Sequence, residues 1–343
     1  MTNCMLNFYL NCVYLLKDHR RKFLEIRITK ISFIDIKKKR QNRGHIIMGI
    51  RDPTTAKIGE EIFPFEIEIV PEYFRKKAEA ELLDTTDRRV QGLREIKELV
   101  KVNDEHTKNI EFDDDFLLQY LRVRKYNVAR AFTQLKALVA LKKKHPLMFT
   151  NFSYDKTIKT VFDKIISMLP WRCQDGCAIL LFELDNWIPE EFPVEEFKRA
   201  YLLYLLESLR NPMTQINGFK VIYDLKSNPL RHLKLCTPEN LYLLYHGTQE
   251  CIAARYKEVH LVNLSITFKA AWFIVKHFLT DKLKQRTIFH KTPETLLNYF
   301  PKSVLPKQYG GDLESYDMSS WLKNAMAPEK LAALGGRPKQ TND

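Results

Sequence analysis

Three apolar runs of strand length, Ala178 to Leu184, Phe219 to Leu225 and Val259 to Leu264, alternate with stretches of helical spacing, and this alternation constrains the fold most. Pro193 opens a helix bearing Phe197, Tyr201, Tyr204 and Leu205, and Thr237-Pro238-Glu239 opens another bearing Leu241, Leu244 and Tyr245. Thr287 to His290 is a weaker fourth strand, followed from Thr292-Pro293-Glu294 by a short helix that ends before Pro301. Strand, helix and strand in repetition require crossover connections, so the spacing predicts an α/β fold with a mostly parallel sheet flanked by helices.

The chain upstream reads as helical. Asp113, Asp114 and Asp115 offer N-caps to a helix with Phe116, Leu117, Tyr120 and Leu121; Asn127 caps the next, and Pro146 ends it. In that second helix Val128, Ala131, Phe132, Leu135, Leu138 and Val139 form one apolar stripe, which needs a surface to pack on.

Residues 1–47 differ from the rest. They hold eleven Lys and Arg against three acidic residues, so +8 of the formal charge of +13 lies there and +5 is left for the remainder of the chain. The excess is local, which removes the charge argument for nucleic acid as a partner. The segment reads as a disordered basic arm or a gene-model addition, with Met48 as an alternative start. Cys4 to Leu16 makes a poor signal peptide, and Pro53 spoils a myristoylation site after Met48-Gly49. No apolar run reaches the roughly 18 residues of a membrane span, so membrane contact is expected to be peripheral.

The segment from Arg255 to Arg286 sets an apolar helix between basic residues. At about 100 degrees per residue, Phe268, Ala271, Trp272, Ile274, Val275, Phe278 and Leu279 share an arc of about 160 degrees. Trp272, Val275 and Leu279 fall toward one side, and Ala271, Ile274 and Phe278 toward the other. Such a helix can line a cavity with the first set and meet a membrane with the second. Arg255 and Lys257 share a face if the backbone is extended, and Lys282 and Arg286 share one if the helix runs that far, with Lys284 beside them.

Several ordered motifs carry a resemblance. Arg255-Tyr-Lys257, Val259-His-Leu-Val-Asn263, Phe278-Leu-Thr-Asp-Lys-Leu-Lys-Gln-Arg286 and Leu305-Pro-Lys-Gln-Tyr-Gly-Gly311 resemble the C-terminal half of the CRAL-TRIO (Sec14-like) lipid-binding proteins. Phe116-Leu-Leu-Gln-Tyr-Leu-Arg-Val-Arg124-Lys-Tyr-Asn is similar to a segment of that family's N-terminal helical subdomain. The similarity spans roughly residues 70–325 and is nearest to the tocopherol-transfer, retinaldehyde-binding and clavesin group.

The resemblance implies a basic extension at 1–47, a helical subdomain at 48–150, a lipid-binding domain at 151–325 with a mobile gate helix, and a tail at 326–343. It implies an intracellular lipid-binding and transfer protein, cytoplasmic and peripherally membrane-associated, with no cofactor beyond an apolar ligand of the tocopherol, retinoid or phospholipid class. By motif, phosphoinositide contacts fall on Arg124, Arg255, Lys257, Lys282 and Arg286, although the family's usual Lys and Arg stand in exchanged order at 255 and 257. Tyr201, Tyr204, Ile222, Leu244, Ile252, Val259, Leu261, Phe268, Trp272, Val275 and Leu279 are expected in the cavity and gate, with Ala271, Ile274 and Phe278 facing the membrane. Tyrosines there can serve a ligand hydroxyl or carbonyl, or the backbone. The alternative is a phosphoinositide-dependent trafficking adaptor or lipid sensor without net transfer.

Enzymatic readings find little support. The eleven glycines form no phosphate loop, Rossmann fingerprint or nucleophile elbow. A Ser265-His260-Asp arrangement with Asp185 or Asp224 is conceivable, yet a buried, hydrogen-bonded His260 is the simpler reading. The six cysteines are scattered, as in a reduced cytosolic protein, and Cys173-x-x-x-Cys177 lacks the second pair a zinc site needs.

Overall fold

The computed structural model describes residues 62–102, 107, 110–150, 163–227, 231–232, 234–314 and 316–338. The side chains of Asp163, Ala270, Ala271, Ile274, Phe278 and Pro338 are outside that description. The expectations for residues 1–47, for Met48 and for Cys4 and Cys12 therefore lie outside the described residues.

Four helices come first: α1 (Glu72–Leu82), α2 (Thr86–Lys101), α3 (Asp114–Val123) and α4 (Val128–Lys144). The starts of α2, α3 and α4 are set by side chains that satisfy otherwise unpaired first-turn amides. Thr85 accepts from the Arg88 amide, Asp113 from Phe116 at 2.7 Å and Asn127 from Arg130 at 3.0 Å. Between α1 and α2 the carboxylate of Asp84, 1 % exposed, takes two bonds from Arg89 and one at 3.0 Å from Arg122. Tyr126 also donates to it. The helical layer is thereby locked at one buried anion.

The sheet has five strands in spatial order: β1 (Ile166–Met168), β2 (Ala178–Glu183), β3 (Phe219–Asp224), β4 (Tyr256–Val262) and β5 (Thr287–Phe289). β2 through β5 are parallel, and β1 pairs antiparallel with β2. The crossovers are α5 (Val194–Ser208) with α6 (Pro212–Asn217), then α7 (Pro238–Tyr245) with the π-helical turn His246–Cys251, then α8 (Ile266–Val275) with α9 (Asp281–Gln285). Because spatial order follows chain order, crossovers of one hand put their helices on one face. Turns at 293–309 cover the other face, and α10 (Ser319–Ala325) packs Trp321 against Tyr204 with ring centres 5.3 Å apart.

Alternation along the strands divides the core. Ala178, Leu180, Phe182, Phe219 and Val221 join the helical side, whereas Ile179, Leu181, Ile222 and Val262 pack with Leu296, Phe300, Val304 and Leu305. An irregularity between β3 and β4 sets which side chains of β4 share a face. Phe219 pairs with Tyr256 but Lys220 pairs with Glu258, so Lys257 is an extra, bulged residue. The bulge resets the parity of β4 and puts Tyr256 on the same face as Val259 and Leu261. Gly218 makes the close approach possible: its φ is +80°, and a Cβ there would stand 2.1 Å from the Arg255 carbonyl oxygen.

Candidate functional site

Between the sheet and α5, α7 and α8 lies a cavity of about 320 Å³, at the small end for ligand sites. Strand residues Val221, Tyr223, Tyr256, Val259 and Leu261 form its floor, and Phe268, Trp272, Val275 and Leu279 close it from the α8 side. Trp187 and Phe197 stack at 4.3 Å along another wall. α8 begins where Ser265 Oγ accepts from the Phe268 amide at 3.2 Å, and its α-helical part stops at Val275. Trp272 meets Phe289 of β5 edge-on at 5.0 Å. Ile266 and Phe273 point the other way, 86 % and 61 % exposed, and the Lys276 ammonium lies 4.5 Å from the Phe273 ring centre.

Thr280 caps a new helix by accepting from the Leu283 amide at 3.2 Å, so Lys282 and Arg286 belong to a separate short helix and the condition that α8 continue to residue 286 is not met. The short α9 that results has two roles. It gives Leu283 to the cavity wall, while Lys282 belongs to a cationic cluster together with Arg286 at its C-terminal end. Burial lowers the Lys282 ammonium from its ordinary value, and the nearby cations Arg286, Arg255, Lys257 and Lys125 lower it further. Arg286 donates to the Tyr256 carbonyl and Arg255 to the Ile216 carbonyl, which fixes both guanidinium groups. Arg255 and the bulged Lys257 both reach Glu81 Oε2 on α1 at 3.5 Å. Burial alone raises the Glu81 carboxyl; Lys257, Lys77 and Arg255 outweigh it and hold the group below its ordinary value. Lys282, Arg286, Arg255, Lys257 and Lys125, five cations, gathered near the one carboxylate of Glu81 leave an excess of positive charge suited to a multiply charged anion.

Behind the sheet a second polar system is fully occupied. Lys220, 3 % exposed, joins Asp175 and Glu258 at 2.9 Å each. Glu258 lies 3.2 Å from His260 Nε2, His260 Nδ1 lies 2.9 Å from His290 Nε2, and His290 Nδ1 lies 2.7 Å from Thr295. Both nitrogens of His260 are engaged, and Ser265 is used as a helix cap, so the conceivable Ser-His-Asp arrangement does not assemble. Asp224 instead accepts from Asn263 at 2.7 Å and from Tyr309 at 3.0 Å. Among the described residues no group of His, Cys, Asp and Glu is placed to hold a metal, and Cys173, Cys177, Cys236 and Cys251 are not joined in disulfides.

A family model described as the CRAL/TRIO domain matches residues 163–311. Clavesin-1 of Rattus norvegicus is 30 % identical over 257 residues, covering 74 % of this chain and 72 % of that protein. The chain belongs to the CRAL-TRIO family. The alpha-tocopherol transfer protein-like protein of Mus musculus is 29 % identical over 255 residues, 74 % of each chain. A solved structure titled "Crystal structure of Sfh5" matches with a TM-score of 0.44 and 11 % identity, covering 74 % of this chain and 92 % of that one. CRAL-TRIO membership implies lipid binding.

Within this CRAL-TRIO chain, Tyr201, Leu244, Val259, Leu261, Phe268, Trp272, Val275 and Leu279 line the cavity. Three residues expected there do not. Ile222 has the opposite strand parity and packs behind the sheet. Tyr204, one turn beyond Tyr201, is rotated away onto Trp321. Ile252 is buried beneath α4, where its carbonyl accepts from Gln134 at 2.8 Å. The side chains of Ala271, Ile274 and Phe278 lie outside the described residues; among those of α8 that are described, Ile266 and Phe273 are the exposed large apolar ones.

Arg124 makes its contacts elsewhere. Its Nε donates to Gln134 at 2.7 Å and its charged neighbours are Arg130 and Glu250, whereas Lys125 is the α3-end cation near the cluster. Sequence reading missed Tyr223, Tyr256, Trp187 and Phe197 in the cavity. Strand parity alone would have found Tyr223, which alternates with Val221.

Proposed function

We propose that this CRAL-TRIO protein carries an apolar ligand in the cavity between its sheet and α8, and that phosphoinositide headgroups at the cluster of Arg255, Lys257, Lys282 and Arg286 hold it on membranes while the ligand exchanges. The observation that supports the reading best is α9: Leu283 touches the cavity and its neighbours Lys282 and Arg286 stand in the cationic cluster. An anion that draws α9 outward pulls on the cavity wall through the same short helix. Ile266 and Phe273, exposed on α8 beside Lys269 and Lys276, supply the apolar and cationic groups that an interfacial helix needs. Exchange then requires α8 to move as a gate, and the protein to act peripherally, from the cytoplasm.

Liposome sedimentation of the full chain tests the headgroup site. Replacing Arg255, Lys257, Lys282 and Arg286 together by Ala is expected to reduce affinity for phosphoinositide vesicles by about 100-fold or more, at about 1 kcal/mol per cation near an anionic surface. Equal affinity would remove the site. Movement of a labelled apolar ligand between vesicles tests transfer. Vesicle binding without ligand movement would favour a sensor or trafficking adaptor.

A further inference from the structure

Among the described residues that line the cavity, Lys198 is the only Lys or Arg, and there is no Asp or Glu. Lys198 sits near the start of α5, and Asn240 in the first turn of α7. Lys198 Nζ donates to Glu195 Oε1 at 2.7 Å and to Asn240 Oδ1 at 3.1 Å. Asn240 Nδ2 in turn donates to the Leu235 carbonyl at 2.9 Å. An ammonium only donates and a carbonyl only accepts, so these two contacts fix which end of the Asn240 amide faces Lys198. One proton on Lys198 and one on Asn240 are left without a protein acceptor among the described residues.

The carboxylate that balances Lys198 stands outside the cavity. The Glu195 side chain is 66 % exposed and is not part of the wall, whereas the Lys198 side chain is 16 % exposed and is. An exposed carboxylate keeps its water when it loses a partner, so a second anion can take Lys198 from it at little cost. Elsewhere on the wall the His232 ring is engaged, 3.0 Å from the Trp187 carbonyl and 3.1 Å from the Ser227 hydroxyl. Thr248 and Thr287 donate to the Leu244 and Leu283 carbonyls. Gln249 and the Trp272 indole are the competing neutral donors.

α5 and α7 start beyond the C-terminal ends of β2 and β3, while Arg255 and Arg286 stand just ahead of β4 and β5. These strands are parallel, so Lys198 and the cationic cluster lie toward opposite edges of the sheet. A multiply charged phosphate finds several cations at the cluster and a single one at Lys198. We infer that the cavity takes an apolar ligand that ends in a carboxylate, held by Lys198 with the spare Asn240 proton beside it. The single negative charge is then paired and hydrogen-bonded, as a charge drawn out of water has to be. A ligand amine meets a like charge there, and an ester or alcohol accepts a hydrogen bond without forming the ion pair. The inference rests on the cavity being a ligand site, as proposed above.

Three compounds with one skeleton and different ends, retinoic acid, methyl retinoate and retinol, test it on the full chain. Trp187 and Trp272 both line the cavity, so quenching of their fluorescence reports occupancy. The acid is expected to bind about tenfold tighter than the ester and the alcohol, the lower end for a hydrogen bond between charged groups. Lys198→Met is expected to bring the acid down to the level of the ester. Glu195→Gln removes the competing carboxylate and is expected to tighten the acid by about twofold to threefold. The comparison of the three compounds on the unaltered protein decides the matter even if a variant folds poorly.

Tightest binding of the ester or the alcohol overturns the inference and points to Gln249 or Trp272 as the donor. So does a preference for the acid that survives Lys198→Met. Displacement of the bound acid by soluble inositol trisphosphate overturns it as well, since the acid would then sit at the cationic cluster. Equal binding of all three overturns the carboxylate preference and leaves the cavity reading standing. No quenching by any of them overturns both.

Discussion

On β3, Val221 and Tyr223 face an open cavity, while Lys220 and Ile222, one residue out of step, face a layer packed solid by Leu296, Phe300 and Val304. The two faces of the sheet are built from the same strands and handle polar groups differently. In front, neutral hydroxyls line the cavity, those of Tyr201 and Tyr256 lying 3.4 Å apart. Behind, Asp175, Lys220, Glu258, His260, His290 and Thr295 form a chain in which charges are paired and ring nitrogens engaged. The contrast teaches that the back face holds the sheet in register, so that the front face can leave space without collapse. Empty apolar volume is destabilising, and it persists only where rigid neighbours prevent relaxation.

The largest expected effect is on the back. Lys220→Met leaves Glu258 and Asp175 without their buried cation and is expected to cost about 3 kcal/mol in urea unfolding, the lower end for breaking a buried pair because both carboxylates are partly exposed. On the front, Leu261→Trp is expected to change stability by only about 1 kcal/mol, because its bulk enters existing space, yet to lower retinol affinity by more than about tenfold. If Leu261→Trp is as destabilising as Lys220→Met, the two faces do not differ in the way described.

Acid should separate the faces again. Burial, with the neighbouring His260, pushes the His290 imidazole down to about 4 from 6.5. Below 6.5 the unfolded chain takes a proton that the folded one refuses, so stability is highest above 6.5, falls as pH drops toward about 4, and gains no further slope from His290 below that. Glu258, held at about 2 mainly against its own burial by His260 and Lys220, adds a loss only below 4.5. Melting temperatures should therefore decline between these limits in the unaltered protein and decline less in His290→Asn. The front-face tyrosines, all raised by burial, stay protonated throughout and contribute no slope.

The smallest effect concerns the cationic cluster. Glu81, 44 % exposed at its side chain, offsets part of the charge of Arg255 and Lys257. Glu81→Gln should tighten binding to phosphoinositide vesicles by roughly twofold to threefold, as expected for an exposed pair, and added salt should shrink the difference.

Much of the fold was legible in the chain. Caps at Asp113, Asn127 and Thr237 form as their residue types predict, and the strand-length runs at 178, 219 and 259 became β2, β3 and β4. The cavity side of α8 and the turn after it was legible too, since Trp272, Val275 and Leu279 line the cavity. The short antiparallel β1 was missed because its three residues carry no periodic signal. The helical wheel was extended through Leu279 as though one helix ran that far, but α8 gives way to a short 3-10 turn at Lys276–Phe278 and Thr280 starts another helix. Arg124 and Lys125 are adjacent cations that look alike in sequence. Only the fold, with Lys125 at φ +51°, decides which one joins the cluster.

The sequence by itself determined where helices and strands begin, that the sheet is mainly parallel, and which residues are apolar enough to fill or line a core, because these follow from local sterics, capping and periodicity. Tertiary structure decided which of two sheet faces keeps its space, that Ile222 belongs behind and Tyr256 in front, and that Lys257 is released to meet Glu81. Those outcomes depend on one bulge and on segments far apart in the chain. A single extra residue reverses the facing of every side chain before it, and no local pattern records that a bulge will form.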